Sequence, residues 1–265
     1  MTLSKDKNLQ RSIDKMVESI NDILQDDVKA IYLYGSIVLD DFKLGWSDID
    51  LLVLTKNQID NEKAEKLLKL RQELLQKEPK NKYYRSFEGA MLSLDGFLNQ
   101  AKETVVYWGT KGEKIKENYA LDSFSKKELI ESSLLVYGED VKDLFEMPSK
   151  EELYQDIERH YQTIREHAQK TGRNLYSFGW FLDISRCLYT LKTGKIISKT
   201  KAGEWALKNN LCVDDKVLKR VLRIRKNPLR FKKKAKVMDW AETLGKAVQR
   251  YADVLEVSLK ENKKE

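Results

Sequence analysis

Apolar residues recur at helical spacing from the start of the chain. Between residues 9 and 26, Ile13, Met16, Val17, Ile20, Ile23 and Leu24 fall on one side of a 3.6-residue period. "VKAIYLYG" (28–35) then reads as a buried strand that Gly35 stops, and "DIDLLVLT" (48–55) as a second. An amphipathic helix follows over 61–78. A third strand is expected over 84–96 and a fourth over 103–109. Beyond about residue 120 the helical period takes over. The stretch 125–140 opens on Ser125 with Glu128 three residues on, the pattern of a capping box. Further helices are predicted over 149–170, 174–192, 198–209, 213–225 and 235–260. Pro148 and Ser149 mark the boundary. The expected architecture is α+β: a domain over 1–148 with a mixed β-sheet flanked by helices, then an all-helical domain over 149–265.

A chain of 265 residues fits one large domain or two small ones. With 41% hydrophobic and 34% charged residues it can build a core, which argues against disorder throughout. The net charge of +7 is unevenly spread: Lys216–Lys236 holds eleven Lys or Arg and no acid. Such a run is either a solvated face or a contact for phosphate-rich partners such as nucleic acid. Cys187 and Cys212 are the only cysteines, too far apart for a metal motif. His160 and His167 share a helix face but lack a third ligand. No apolar run approaches the ~18 residues of a membrane span, and the first residues contain no secretory h-region. A cytoplasmic protein with no membrane partner is expected, as a monomer or weak dimer.

The chemistry concentrates in "YGSIVLDDFKLGWSDIDLLVL" (34–54). Asp48 and Asp50 share a strand face because side chains alternate. Two acids side by side on an apolar strand repel each other and resist desolvation. A divalent cation cancels both costs, and hard oxygen ligands suit Mg²⁺, which normally bridges to substrate phosphates. Alternatively, the two acids simply face solvent. Context favours the metal. Gly35 lets backbone approach a ligand closely, and Ser36 offers a hydroxyl and a turn N–H to a phosphate. Glu88, on the next predicted strand, is a third acid within reach of the metal or of an attacking hydroxyl.

Gly-Ser followed by Asp-x-Asp at this interval, between apolar strands, resembles the nucleotidyltransferase superfamily of polymerase β-like fold. "TLKTGKIISKTKAGEWAL" (190–207) and "LLVYGEDV" (134–141) resemble the aminoglycoside nucleotidyltransferases that adenylylate streptomycin and spectinomycin, the latter segment as a leucine-rich helix ending in a Gly turn. The resemblance implies Mg²⁺-dependent transfer of AMP from ATP to a hydroxyl of a small acceptor, an aminoglycoside. It implies Asp48 and Asp50 as metal ligands and Glu88 as general base. Gly35, Ser36, Ser47, Arg186 and Lys199 become the candidate nucleotide contacts, with Arg186 and Lys199 reaching the triphosphate from the helical domain. Candidate acceptor contacts are Trp46, Asp95, Trp108, Tyr176 and Asp183.

Each assignment has an ordinary counterpart. Glu88 could be a surface acid, Lys199 a solvated cation near a helix start, and Arg186 the i,i+3 partner of Asp183. Trp46 could pack a loop tip. The chain also departs from the antibiotic family. "TGRNLYSFGWFLDISR" has no acid before Asp183, where that family carries acids for a cationic drug, and "RIRKNPLRFKKK" replaces its acidic, tyrosine-bearing stretch. Tyr176, Phe178 and Trp180 suggest a more aromatic, less anionic pocket. A nucleic-acid-binding or RNA-modifying nucleotidyltransferase relative that uses residues 216–236 is the alternative reading.

Overall fold

The computed structural model describes residues 6–263. They form two compact units: residues 6–42 with 47–147, and residues 43–46 with 148–263. The first is built on one mixed sheet. Its elements are α1 (Lys7–Leu24), β1 (Val28–Tyr34), β2 (Ile49–Thr55), α2 (Asn61–Lys77), β3 (Phe87–Ser93), α3 (Leu94–Asn99), β4 (Val105–Gly109), β5 (Gly112–Lys116), α4 (Ser123–Ser132) and β6 (Leu134–Gly138). The strand order is β5-β4-β3-β2-β1-β6. Only β2 and β3 run parallel, which is why a helix, α2, has to carry the chain between them.

Alternation decides the two faces. Ala30, Tyr32, Leu52, Leu54, Ala90 and Leu92 join Phe97, Leu129 and Phe145 in one core. Ile31, Leu33, Leu51, Val53 and Met91 point the other way, and all are buried. α1 packs on β1 and α2, and α2 also packs on β4 and β5. With both faces covered, the central strands read as continuous apolar runs, and each fully buried Leu, Ile or Val contributes about 1.5–3 kcal/mol. Arg71 of α2 is buried among them and fully used. It donates to Phe87 O (2.7 Å) and Gly109 O (3.1 Å), and its Nε meets Glu113 Oε1 at 2.5 Å. The ends of β3 and β4 are thereby fixed to one side chain.

Three expectations need correction. Residues 125–140 do not form one helix. α4 starts earlier, capped by Asp122, whose side chain accepts from the Ser125 backbone, and it ends at Ser132. Residues 134–138 are instead the edge strand β6, so the leucine-rich segment is not helical. Its Leu134, Leu135 and Tyr137 pair with β1. Gly138 sits at φ +84°, where an added Cβ would lie 2.3 Å from Lys29 O. The expected third strand over 84–96 is shorter, since Tyr84–Ser86 form a 3-10 turn and Leu94–Asn99 is helical. The helix expected over 235–260 is two, separated at Thr243 and Leu244. β5 was not anticipated.

The second unit is helical: α5 (Lys150–His167), α6 (Tyr176–Thr193), α7 (Lys199–Lys208), α8 (Asp215–Lys226), α9 (Pro228–Phe231), α10 (Ala235–Glu242) and α11 (Gly245–Asn262). α6 is its axis. Phe178, Phe181, Leu182, Ile184, Cys187 and Leu188 are buried around its circumference, and α5, α7, α8, α10 and α11 pack against it. α5 opens with a full capping box between Ser149 and Glu152. The short segment Lys43–Trp46 belongs to this unit: Trp46 packs near Phe178 (6.4 Å) and under Arg225 (5.2 Å). Among the described residues no helix is long and apolar enough to cross a membrane.

Candidate active site

β1 ends at Tyr34 and the chain turns through Gly35–Ile37 in a 3-10 turn. Gly35 has φ +70°, and a Cβ there would come within 2.2 Å of Asp50 Oδ2. The glycine therefore does two things: it takes a left-handed conformation that L side chains resist, and it leaves room for a carboxylate against the backbone. Ser36 Oγ donates to Asp48 O (3.3 Å), tying the turn to the entry of β2. Ser47 is buried just before the two acids.

Asp50 stands between Tyr34 on β1 and Glu88 on β3 as their register partner. Asp48 precedes it by two residues. Both oxygens of Glu88 accept hydroxyl donors: Tyr107 Oη at 2.9 Å and Thr110 Oγ1 at 3.0 Å. The Tyr107 hydroxyl feels all three acids. Burial first, then Glu88, Asp50 and Asp48, push its pKa up to about 12, so it remains a donor through neutral pH. Behind it Tyr34 and Tyr119 are held protonated as well, chiefly by burial. Lys116 Nζ lies 3.9 Å from the Tyr107 ring centre, and its pKa is lowered by burial and by Lys114.

The donors available to a metal are hard carboxylate oxygens. Among the described residues no three His, Cys, Asp or Glu side chains form a group that could hold a metal ion by themselves. Asp48, Asp50 and Glu88 therefore do not form a three-carboxylate ion site, and Mg²⁺ held here would rest on the two aspartates, water and substrate phosphates.

The other candidates separate. Trp108 is wholly buried on β4, its indole N–H donating to Leu67 O (3.0 Å), so it is a core residue and not an acceptor contact. Asp95 lies in the first turn of α3, exposed and bonded by Asn99 (2.8 Å). Since Glu88 is near the start of β3 and α3 follows its far end, a strand's length, roughly 17 Å at 3.3 Å per residue, parts Asp95 from the carboxylates. Within the helical unit, Lys199 pairs with Asp183 at 2.8 Å. Burial disfavours the Asp183 charge, but Lys199, then Arg186 and His160, more than offset it and hold the carboxyl below its ordinary range. Trp46 and Tyr176 line a common cavity of about 280 Å³ with Gly45, Arg173, Lys232 and Met238. The basic run is partly consumed internally: Arg220 stacks on Trp240 (3.9 Å), Lys226 pairs with Glu204 (2.6 Å), and Arg225 is buried.

Tyr107 and Thr110 were not among the sequence candidates. Alternation along "ETVVYWG" separates Tyr107 from Trp108, but no motif marks it, and Thr110 becomes a neighbour of Glu88 only through the β4–β5 hairpin.

Residues 13–95 match the Nucleotidyltransferase domain family, and residues 143–256 match the family described as Aminoglycoside adenylyltransferase, C-terminal domain. The chain is a nucleotidyltransferase that resembles the aminoglycoside adenylyltransferases. As an enzyme it is an adenylyltransferase. A search of curated proteins gave no significant match. Among solved structures, the spectinomycin adenyltransferase AAD(9) from Enterococcus faecialis, crystallised with ATP and spectinomycin, shares the fold: TM-score 0.62 at 14% identity, over 93% of this chain and 99% of that one. A tri-AMPylated HEPN toxin in complex with MNT antitoxin from Shewanella oneidensis also matches at 17% identity, over 60% of this chain and 96% of that one. Its TM-score of 0.28 is too low to inform the comparison.

Proposed function

We propose that this adenylyltransferase moves AMP from ATP to a hydroxyl of a small molecule in a Mg²⁺-dependent reaction, with Asp48 and Asp50 as the metal ligands and Glu88 as the general base. The observation that carries the reading is the register pairing of Asp50 with Glu88 on adjacent parallel strands, two residues after Asp48. Asp48 and Asp50 would hold Mg²⁺, which would supply positive charge against the triphosphate and the negative charge that builds in the transition state. The acceptor oxygen attacks the α-phosphorus. A new O–P bond forms, the bond from the α-phosphorus to the bridging oxygen breaks, and pyrophosphate leaves with that electron pair. Glu88 takes the acceptor's proton. Gly35, Ser36 and Ser47 offer backbone and hydroxyl contacts to phosphate from the turn and from the entry of β2. Arg186 and Lys199 are the nucleotide contacts we assign in the helical unit. Lys199 would have to exchange Asp183 for a phosphate, a change of partner that an ammonium makes readily.

For the acceptor we propose an aminoglycoside. The match over residues 143–256 supports that class. The pairing of Asp183 with Lys199, together with the absence of other acids between Thr171 and Ser185, favours one with few positive charges. A pyrophosphate-release assay with ATP, Mg²⁺ and a panel of aminoglycosides and other polyols tests this. Release that depends on an aminoglycoside supports the reading. Release only with RNA would replace it.

A further inference from the structure

The base of the proposed reaction is gripped from one side by two neutral hydroxyls, and these come from a hairpin that carries no recognised motif. We infer that Tyr107 and Thr110 are positioning residues that aim the Glu88 carboxylate at the acceptor. This rests on the reading of Glu88 as base.

The geometry is specific. Tyr107 Oη takes one carboxylate oxygen at 2.9 Å and Thr110 Oγ1 the other at 3.0 Å. A carboxylate has about four lone-pair sites, so two donors leave two, and their directions are set by where the donors stand. Rotation of the carboxylate about its last bond would break both contacts at once. Both donors are uncharged. A Lys or Arg in the same places would cancel the charge that must accept a proton, as Lys199 does at Asp183.

The donors are themselves anchored. Tyr107 on β4 pairs with Ala90 on β3, two residues beyond Glu88 and on the same face. Its ring lies beneath Lys116 Nζ (3.9 Å) and against Tyr119 (6.1 Å). Thr110 follows Gly109, whose carbonyl accepts from Arg71, while Glu88 follows Phe87, whose carbonyl accepts from the same guanidinium. One buried side chain thus fixes the backbone on both sides of the Thr110–Glu88 contact. Tyr107 also keeps its proton near neutral pH, since its pKa is pushed up to about 12 by burial and then by the acids.

The test uses the full-length protein with ATP, Mg²⁺ and the acceptor found to support pyrophosphate release. Tyr107→Phe and Thr110→Val should each lower kcat about tenfold. The double variant should lose about 100-fold, the scale of a misplaced reacting group. KM for ATP should stay within about twofold of wild type throughout, because neither hydroxyl contacts nucleotide in this scheme. Thr110 is exposed, so Thr110→Val should keep the wild-type Tm, and Thr110→Ser, which retains the hydroxyl, should restore kcat. In a Glu88→Gln background, adding Tyr107→Phe should change kcat by less than about twofold, since the group it aims is already gone. Unchanged kcat in both single variants overturns the inference. So does a Tyr107→Phe loss that persists undiminished in the Glu88→Gln background. If Glu88→Gln itself turns over at the wild-type rate, the assignment of the base fails, and the positioning role fails with it for that separate reason.

Discussion

Glu88 in the sheet unit and Asp183 in the helical unit are both half-buried acids, yet their neighbours differ in kind. Glu88 is held by a phenol and an alcohol, and two more acids stand nearby on β2 and at its entry. Asp183 is met by Lys199, with Arg186 and His160 adding to the positive field. The second arrangement is complete: the charge is neutralised where it sits. At Glu88 the two hydrogen-bond donors are neutral hydroxyls, and Lys116, over the Tyr107 ring, is a cation that feels its charge. Hydroxyl donors leave the carboxylate its charge, as the proton-accepting role we propose for Glu88 requires. On the proposed reading, the contrast is between a carboxylate paired with a cation and one held by hydroxyls for proton transfer.

The comparison can be broken most severely at Glu88. Glu88→Gln keeps the shape and the hydroxyl contacts but removes the base, and kcat should fall about a hundred- to ten-thousandfold while ATP affinity measured by titration stays near wild type. Weakened ATP binding with unchanged kcat would move Glu88 from base to nucleotide contact. Next in size is Gly35→Ala. The new methyl meets Asp50 at a position that already has a left-handed backbone, so stability should drop by about 1–2 kcal/mol and turnover should fall with it. A variant that melts and turns over like wild type would mean that the turn is not shaped around Asp50.

How much of this was legible from residues alone follows the same division. Strands β1 and β2 announce themselves as apolar runs bounded by Gly35 and by the two aspartates, and helix α5 by the boundary at Pro148 and Ser149. The pairing of Asp50 with Glu88 was legible because local spacing and strand order suffice to set that register. β6 was not, because "LLVY" carries a helix-compatible leucine pair, and what makes it a strand is the free edge of β1. Trp108 looked like a ligand-facing aromatic because nothing in the sequence shows that Leu67 of α2 supplies a carbonyl to its indole. Thr110 was invisible for a related reason. Its role depends on a hairpin register and on Arg71, whose partners lie 16 and 38 residues away.

Asp183→Asn sharpens the other half of the contrast. The Asp183 carboxyl is held below its ordinary value of 3.8 in the folded chain. Its contribution is therefore present above that value and is lost as pH falls through the lower, folded one. The Tm difference between wild type and Asp183→Asn should be full near pH 7 and close in strongly acid solution. It should correspond to about 1 kcal/mol at most, given partial solvent exposure. A difference that grows on acidification would contradict the pairing with Lys199. Smallest and purely structural is Ser149→Ala, which removes the capping box of α5 and should cost about 1 kcal/mol in urea melts without touching turnover.

The most direct test of the central claim follows the label of α-³²P-ATP with Mg²⁺ and an aminoglycoside panel, in wild type and in Asp50→Ala. The account predicts that label passes to an acceptor in wild type, one pyrophosphate released per transfer, and that Asp50→Ala shows neither. Transfer that survives Asp50→Ala, or ATP consumption with no labelled acceptor in wild type, would contradict it.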